Sequence, residues 1–265
     1  MWPVAALALA LVPPLQTGKL ELTNVRATYG LMGVSRPDFT ILPGDMLYIA
    51  FDINGLQTDQ DGRLRFGTAL EVEDSKGKSI FKEDLGAMPP IVALLGGPRV
   101  PHTVMISTGL EQAPGVYRAK ITVHDYQSKK DATITKDFTL SQPEFGIVRV
   151  QLCFDRLSQV PAPPAAASGQ TLFLNFVPVH FKRDAKNEAG VTVELNVLDD
   201  KGNPTPVKPL SGSEKNLPPE INYLQMRFDI PLQRAGNFKL VLKATDQVSK
   251  KAVTHTIPLQ VVEVK

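Results

Sequence analysis

The sequence predicts an all-β protein with two successive β-sandwich domains behind an apolar N-terminal segment. Its 22 prolines and 19 glycines among 265 residues leave little room for long helices. Apolar and polar residues alternate in several segments, which is typical of strands with one buried face. The stretch from Gly115 to Asp125 recurs as the stretch from Gly236 to Asp246, so the strand pattern is present twice.

Composition indicates a globular protein and excludes several functional classes. Hydrophobic residues make up 43% of the chain and charged residues 21%, with a net charge of +2. Residues 19–142 carry 14 basic and 15 acidic residues and residues 143–265 carry 15 and 12, so neither half is a basic stripe, which argues against a nucleic-acid partner. Cys153 is the only cysteine, so an intramolecular disulfide and a four-cysteine zinc site are excluded. We expect Cys153 to be a small buried residue; the alternative is a reactive thiol.

Residues 1–18 differ from the rest of the chain. An uncharged apolar run covers residues 4–12, and Pro13 and Pro14 end it. The run is too short to cross a bilayer as a helix and resembles the central region of a secretory signal peptide, although no Lys or Arg precedes it. We therefore expect an exported protein, located in the periplasm, at the cell surface or in the medium. The alternative is an ordinary apolar N-terminal arm.

The first predicted domain covers residues 19–142. A turn at 43–45 separates its first two strands, and Asp74-Ser75-Lys76-Gly77 predicts a hairpin. In the stretch from Gly115 to Asp125, the apolar positions begin with Tyr117, whose hydroxyl is placed to bond back to the preceding turn. The predicted strands are 22–29, 46–53, 69–74, 79–81, 103–107, 115–125 and 132–140.

The second predicted domain, residues 143–265, reads as a duplicate of the first. Gly44 and Gly77 match Gly169 and Gly202 at a separation of 125, whereas Met105 and Gly115 match Met226 and Gly236 at 121. Residues 25–26 match 148–149 at 123. These separations place a four-residue length difference between Gly77 and Met105, within a loop. The short linker at 141–144 contains a proline, which restricts independent motion of the domains.

This pattern of short strands, with a Gly-x-Tyr/Phe strand near the end of each unit, resembles tandem bacterial immunoglobulin-like or fibronectin-III-like domains. The cysteine pair and core tryptophan of antibody domains are absent, since Trp2 lies in the N-terminal segment. The resemblance implies an adhesive, ligand-binding or spacer module of a secreted or envelope protein.

Two sets of acidic residues are candidate sites. Asp59 and Asp61 occupy positions of a calcium-binding loop, but Gln57 and Thr68 stand where the first and last ligands belong. We therefore weigh a weak calcium site against an ordinary polar loop. Asp125 and its counterpart Asp246 end the recurrent strand, where a carboxylate accepts hydrogen bonds from the following turn.

The sequence contains no motif of a known catalytic centre. It lacks a nucleophile elbow, a phosphate-binding loop and a zinc-protease motif, and its four histidines are scattered. We therefore expect no cofactor and no enzymatic activity. A hydrolase whose catalytic residues meet only in space is the weakest alternative.

The segment 85–98 is the best candidate for a binding site. It is apolar where its counterpart at 211–216 is polar, and Pro89-Pro90 is placed to start a helical turn. The segment either covers part of its own protein or binds a partner, for which we expect a protein or a cell-envelope component. A carbohydrate-recognising pair of domains is the alternative function. The candidate binding residues are Met88, Ile91, Val92, Leu94 and Leu95.

Overall fold

The computed structural model describes residues 18–94 and 99–264, and throughout them the chain forms β-strands and turns without a helix. The all-β prediction is therefore confirmed. The first ten strands are β1 (Glu21–Thr28), β2 (Thr40–Ile41), β3 (Met46–Asn54), β4 (Arg63–Leu64), β5 (Phe66–Glu73), β6 (Ser79–Ala87), β7 (Ile91–Val92), β8 (Arg99–Ser107), β9 (Gly115–Asp125) and β10 (Lys130–Leu140). The others are β11 (Gly146–Cys153), β12 (Ala165–Ala167), β13 (Thr171–Val179), β14 (Ala189–Leu198), β15 (Leu210–Leu217), β16 (Met226–Pro231), β17 (Gly236–Asp246) and β18 (Ala252–Val262).

Strands β1 to β10, here called the first unit, form a β-sandwich. One sheet has the order β1-β3-β8, and the facing sheet has the order β2-β10-β9-β5-β6. The alternation of β9 is confirmed, because Tyr117, Ala119, Ile121 and Val123 are buried between the sheets. The small β4–β7 ladder lies apart from both sheets.

Strands β11 to β18, here called the second unit, repeat this arrangement with the orders β11-β13-β16 and β12-β18-β17-β14-β15. Each unit has its own cluster of buried apolar side chains. The domain boundary at 142/143 itself stays a prediction.

The strand registers correct two of the sequence matches. A bulge puts Asn24 of β1 and Arg149 of β11 in the same left-handed conformation, with φ of 53° and 52°. Equivalent residues of β1 and β11 are therefore 125 positions apart, not 123. Ile106 and Ile230 pair with Leu47 and Leu172, so β8 and β16 are separated by 124 residues rather than 121.

Most of the length difference therefore lies in the loop at 108–114, which follows β8, and not before Met105. The equivalent loop of the second unit, 232–235, is three residues shorter. The extra residues have defined contacts: Leu110 packs against a valine cluster of the second unit, and the Ala113 carbonyl accepts a hydrogen bond from Tyr117.

Buried polar and apolar contacts join the two units. Asp45 is 3% exposed; its Oδ2 accepts a hydrogen bond from Arg36 at 2.8 Å, and its Oδ1 accepts one from the Arg149 backbone N–H at 2.8 Å. The Arg149 guanidinium also donates to the Gly44 carbonyl at 2.8 Å. Beside them, Leu42 and Leu110 of the first unit pack against a small cluster of Val148, Val177 and Val179.

Candidate functional site

An open slot lies between the edges of the two sheets of the first unit. It has a volume of about 310 Å³ and opens between edge strands β6 and β8. Its interior is formed by core residues including Ile106, Tyr117 and Phe138, and its mouth by Ile80 and Phe81. The remaining lining residues are Val72, Glu83, Met105, Ser107, Thr108, Gln112 and Leu140.

Tyr117 fixes the inner end of the slot. Its ring stacks on Phe138 at a centroid distance of 5.5 Å, and its hydroxyl donates to the Ala113 carbonyl at 2.6 Å. The hydroxyl also accepts a hydrogen bond from Gln112 at 3.0 Å. The expected bond from Tyr117 to the preceding turn is thus confirmed, and it holds the interior of the slot in place.

The mouth of the slot is apolar because the two sheets have different widths. Strand β6 is the fifth strand of its sheet, and the facing sheet has three. Phe81 lies directly opposite the buried Val72 and so points to the core side of the sheet, yet it is 46% exposed. The sequence predicted only residues 79–81 as this strand, whereas the structure extends it to Ala87.

The second unit has a cavity of about 380 Å³ in the equivalent place, but its lining is more polar. The Thr205 N–H donates to the carbonyl of Val197, so Thr205 lies where Phe81 lies in the first unit. Arg234 covers the ring of Phe238, with its guanidinium carbon 5.0 Å from the ring centroid. The apolar mouth is therefore a feature of the first unit.

The structure places four of the five predicted binding residues, and they do not form one cluster. Met88 is half-buried and packs against the core of the first unit. Ile91 and Val92 form β7, which is exposed and pairs with β4, so the predicted helical turn after Pro89-Pro90 is wrong. Leu94 is 88% exposed. Leu95 lies outside the described residues, and the binding role of this segment stays a prediction.

The contacts of Asp59 show how its loop is closed. Its Oδ1 accepts hydrogen bonds from the backbone N–H groups of Arg63 and Asp61, which lower the pKa of the carboxyl. Asp184, 125 residues later, accepts the same pair of bonds. Asp61 pairs with Arg63 at 3.9 Å. Within residues 18–94 and 99–264, no three His, Cys, Asp or Glu residues cluster as metal ligands. The calcium hypothesis stays a prediction, and loop closure is the role that the contacts support.

The aspartates that end the recurrent strands, Asp125 of β9 and Asp246 of β17, hold the following turn, as expected. Asp125 is fully buried and accepts hydrogen bonds from the N–H groups of Gln127 and Gln57 and from the Ser128 hydroxyl. Asp246 makes the equivalent bonds in the second unit. Each carboxylate thus ties two separate loops together, which gives it a structural role.

The remaining candidate residues are not assembled into a catalytic site. Cys153 is buried, as predicted, and burial raises the pKa of its thiol. His102 lies between Phe51 and Phe66, and burial lowers the pKa of its imidazole. His180 contacts the carbonyl of Pro43 at 3.0 Å across the junction of the units. The histidines are therefore half-buried rather than simply scattered over the surface.

A wider cleft of about 950 Å³ lies between the units. Three arginines line it, but each has a partner: Arg149 donates to the Gly44 carbonyl, and Arg156 and Arg227 both pair with Asp229.

Comparisons with known proteins do not identify a family. No protein-family model matches the chain, and no curated protein matches it. A transglutaminase from red sea bream aligns over 91% of this chain at 12% identity with a TM-score of 0.28, and the chain spans 32% of that protein. The C-terminal domain of the Streptococcus agalactiae AgI/II polypeptide BspA aligns over 91% of this chain and 99% of its own length, at 10% identity with a TM-score of 0.29. With TM-scores of 0.28 and 0.29 and identities of 12% and 10%, these similarities support no conclusion about this chain. Among the described residues, no helical segment has the length and hydropathy of a membrane span.

Proposed function

We propose that this chain is an exported, non-catalytic binding module with two immunoglobulin-like domains, and that it binds a protein or cell-envelope partner through the segment 79–94 of the first unit. One observation carries the proposal. Six large apolar side chains of that segment are exposed: Ile80, Phe81, Leu85, Ile91, Val92 and Leu94.

The second unit supplies the comparison. Its corresponding segment, 204–217, exposes two such side chains, Val207 and Leu210. Exposed apolar area opposes solubility at about 25 cal/mol per Å², so a concentration of it on one segment favours a surface that a partner covers. A spacer that binds no partner would not require one unit to expose more apolar side chains than the other unit of the same strand order.

Substitutions on the exposed loop test the proposal. Val92→Asp with Leu94→Asp removes apolar area from the first unit, and Val207→Asp with Leu210→Asp is the matched control in the second. We expect the first double variant to keep its melting temperature and to lose binding to intact cells of the source organism. The control should retain binding.

Two results contradict the proposal. If both double variants bind cells as tightly as the unsubstituted protein does, the segment 79–94 takes no part in binding. If the Val92/Leu94 variant loses binding together with thermal stability, the loop packs within its own protein. A glycan array distinguishes the alternative, because a carbohydrate-recognising protein binds glycans on the array and a protein-binding module does not. Export is tested separately by mass spectrometry, which should find the mature chain starting at residues 16–20.

A further inference from the structure

Strand β6 has one unoccupied backbone edge. It pairs with β5 on one side, and no strand of the described residues pairs with its other side. An exposed edge presents a row of N–H and C=O groups, and another extended segment satisfies them best. The edge therefore favours a peptide in strand conformation over a compact ligand.

The side chains of β6 specify the chemistry of that peptide. Phe81 and Glu83 lie opposite the buried Val72 and Leu70, so both are on the core side of the sheet, and both line the slot. Glu83 has no cation within ion-pair distance among the described residues. A complementary strand thus places an apolar side chain beside Phe81 and a basic side chain beside Glu83.

A second copy of β6 does not meet this requirement. In an antiparallel pair, two directly opposed residues either both direct their backbone N–H and C=O groups toward the partner strand or both direct them away from it. Two copies of β6 related by a two-fold axis therefore pair with one residue opposite its own copy. The register of longest overlap centres on Glu83, and it sets the two Glu83 carboxylates face to face on the inward face, whereas Lys82 and Asp84 form opposite-charge pairs on the outward face. On its inward face a second copy therefore offers Glu83 a repulsive partner, and a peptide with a basic inward residue offers an attractive one.

We infer that the slot and the free edge of β6 together bind an extended peptide segment, which adds a sixth strand to the five-stranded sheet and alternates apolar and basic residues on its inward face. This inference rests on the proposed function and names the class of its partner. The slot takes an apolar side chain next to Phe81, and Glu83 selects for Lys or Arg at the neighbouring inward position.

Two labelled heptapeptides test the inference by fluorescence anisotropy. The probe Thr-Leu-Thr-Lys-Thr-Leu-Thr presents Leu-Lys-Leu on one face in either strand direction, and Thr-Leu-Thr-Glu-Thr-Leu-Thr differs only in its central charge. We expect the full-length protein to bind the lysine peptide about fivefold more tightly, the range for exchanging an attractive for a repulsive cross-strand pair. Glu83→Lys should reverse the preference, and Phe81→Asp should weaken both peptides about tenfold or more. Leu210→Asp in the second unit should change neither.

Several outcomes overturn the inference: equal affinity for the two peptides, no reversal by Glu83→Lys, or binding that survives Phe81→Asp. A β6-mediated dimer in sedimentation, abolished by Phe81→Asp, also overturns it. If neither peptide binds but the Val92/Leu94 double variant still loses cell binding, the peptide inference fails and the proposed function stands.

Discussion

The carboxylate of Asp45 is the polar centre of the junction between the units, and replacing it with alanine gives the sharpest test of how that junction is held. Its pair with Arg36 is buried, with side-chain exposures of 7% for the arginine and 4% for the aspartate. Asp45→Ala leaves the guanidinium buried without its counter-charge, which costs about 3–5 kcal/mol. It also removes the acceptor of the Arg149 N–H, which adds about 1 kcal/mol.

Urea unfolding measures this loss, with Asp137→Ala as the matched control. Asp137 also pairs with an arginine, but the Arg118–Asp137 pair is exposed, at 54% and 55%, and so is screened by water. We expect a large fall in unfolding free energy for Asp45→Ala and a small change for Asp137→Ala. Equal effects of the two variants would refute the assignment of Asp45 as a buried structural charge.

Three further predictions concern the first unit. Tyr117→Phe should cost about 1–2 kcal/mol of unfolding free energy, because it keeps the ring and removes only the hydroxyl's bonds to Ala113 and Gln112. Tyr117→Ala should cost about 3–5 kcal/mol, because it also empties the buried ring site; equal losses in urea would contradict this division between ring and hydroxyl. Asp125→Ala should cost about 3 kcal/mol, since it orphans donors of two loops, and an unchanged melting temperature would rule that out. Burial lowers the pKa of His102 below its usual 6.5, so the unfolded chain binds the proton more readily than the folded protein does. The stability of the protein should therefore fall as the pH drops through about 6.5. His102→Gln should flatten this pH dependence of the melting temperature.

The sequence predicted the core strands because burial on one face leaves an alternating pattern. The recurrent strand Gly115–Asp125 was predicted with its bounds, and its inward residues are buried. Strand β6 was predicted too short because its residues are almost all exposed and show no alternation. The match of Met105 with Met226, 121 residues later, was wrong because two residues of the same type need not occupy the same position in their strands. The backbone pairing of β8 with β3 does fix it.

The slot itself was beyond sequence reasoning. Its walls come from β5, β6, β8, β9 and β10, which meet only after the two sheets pack. Tyr117 was recognised as a core anchor, but nothing in the sequence indicates that the facing sheet stops short of β6. The contrast between the apolar segment 85–98 and its polar counterpart is visible in the sequence, whereas the exposed apolar surface of the structure begins earlier, at Ile80.

Amide hydrogen exchange of the intact protein, measured by mass spectrometry with and without a cell-surface fraction of the source organism, tests the central claim most directly. A partner that covers the segment 79–94 slows exchange there, because it buries or pairs the exposed backbone of β6 and β7. We predict protection confined to that segment and the adjoining edge of β8. Protection in the second unit or in the cleft between the units, with exchange in 79–94 unchanged, would contradict the account.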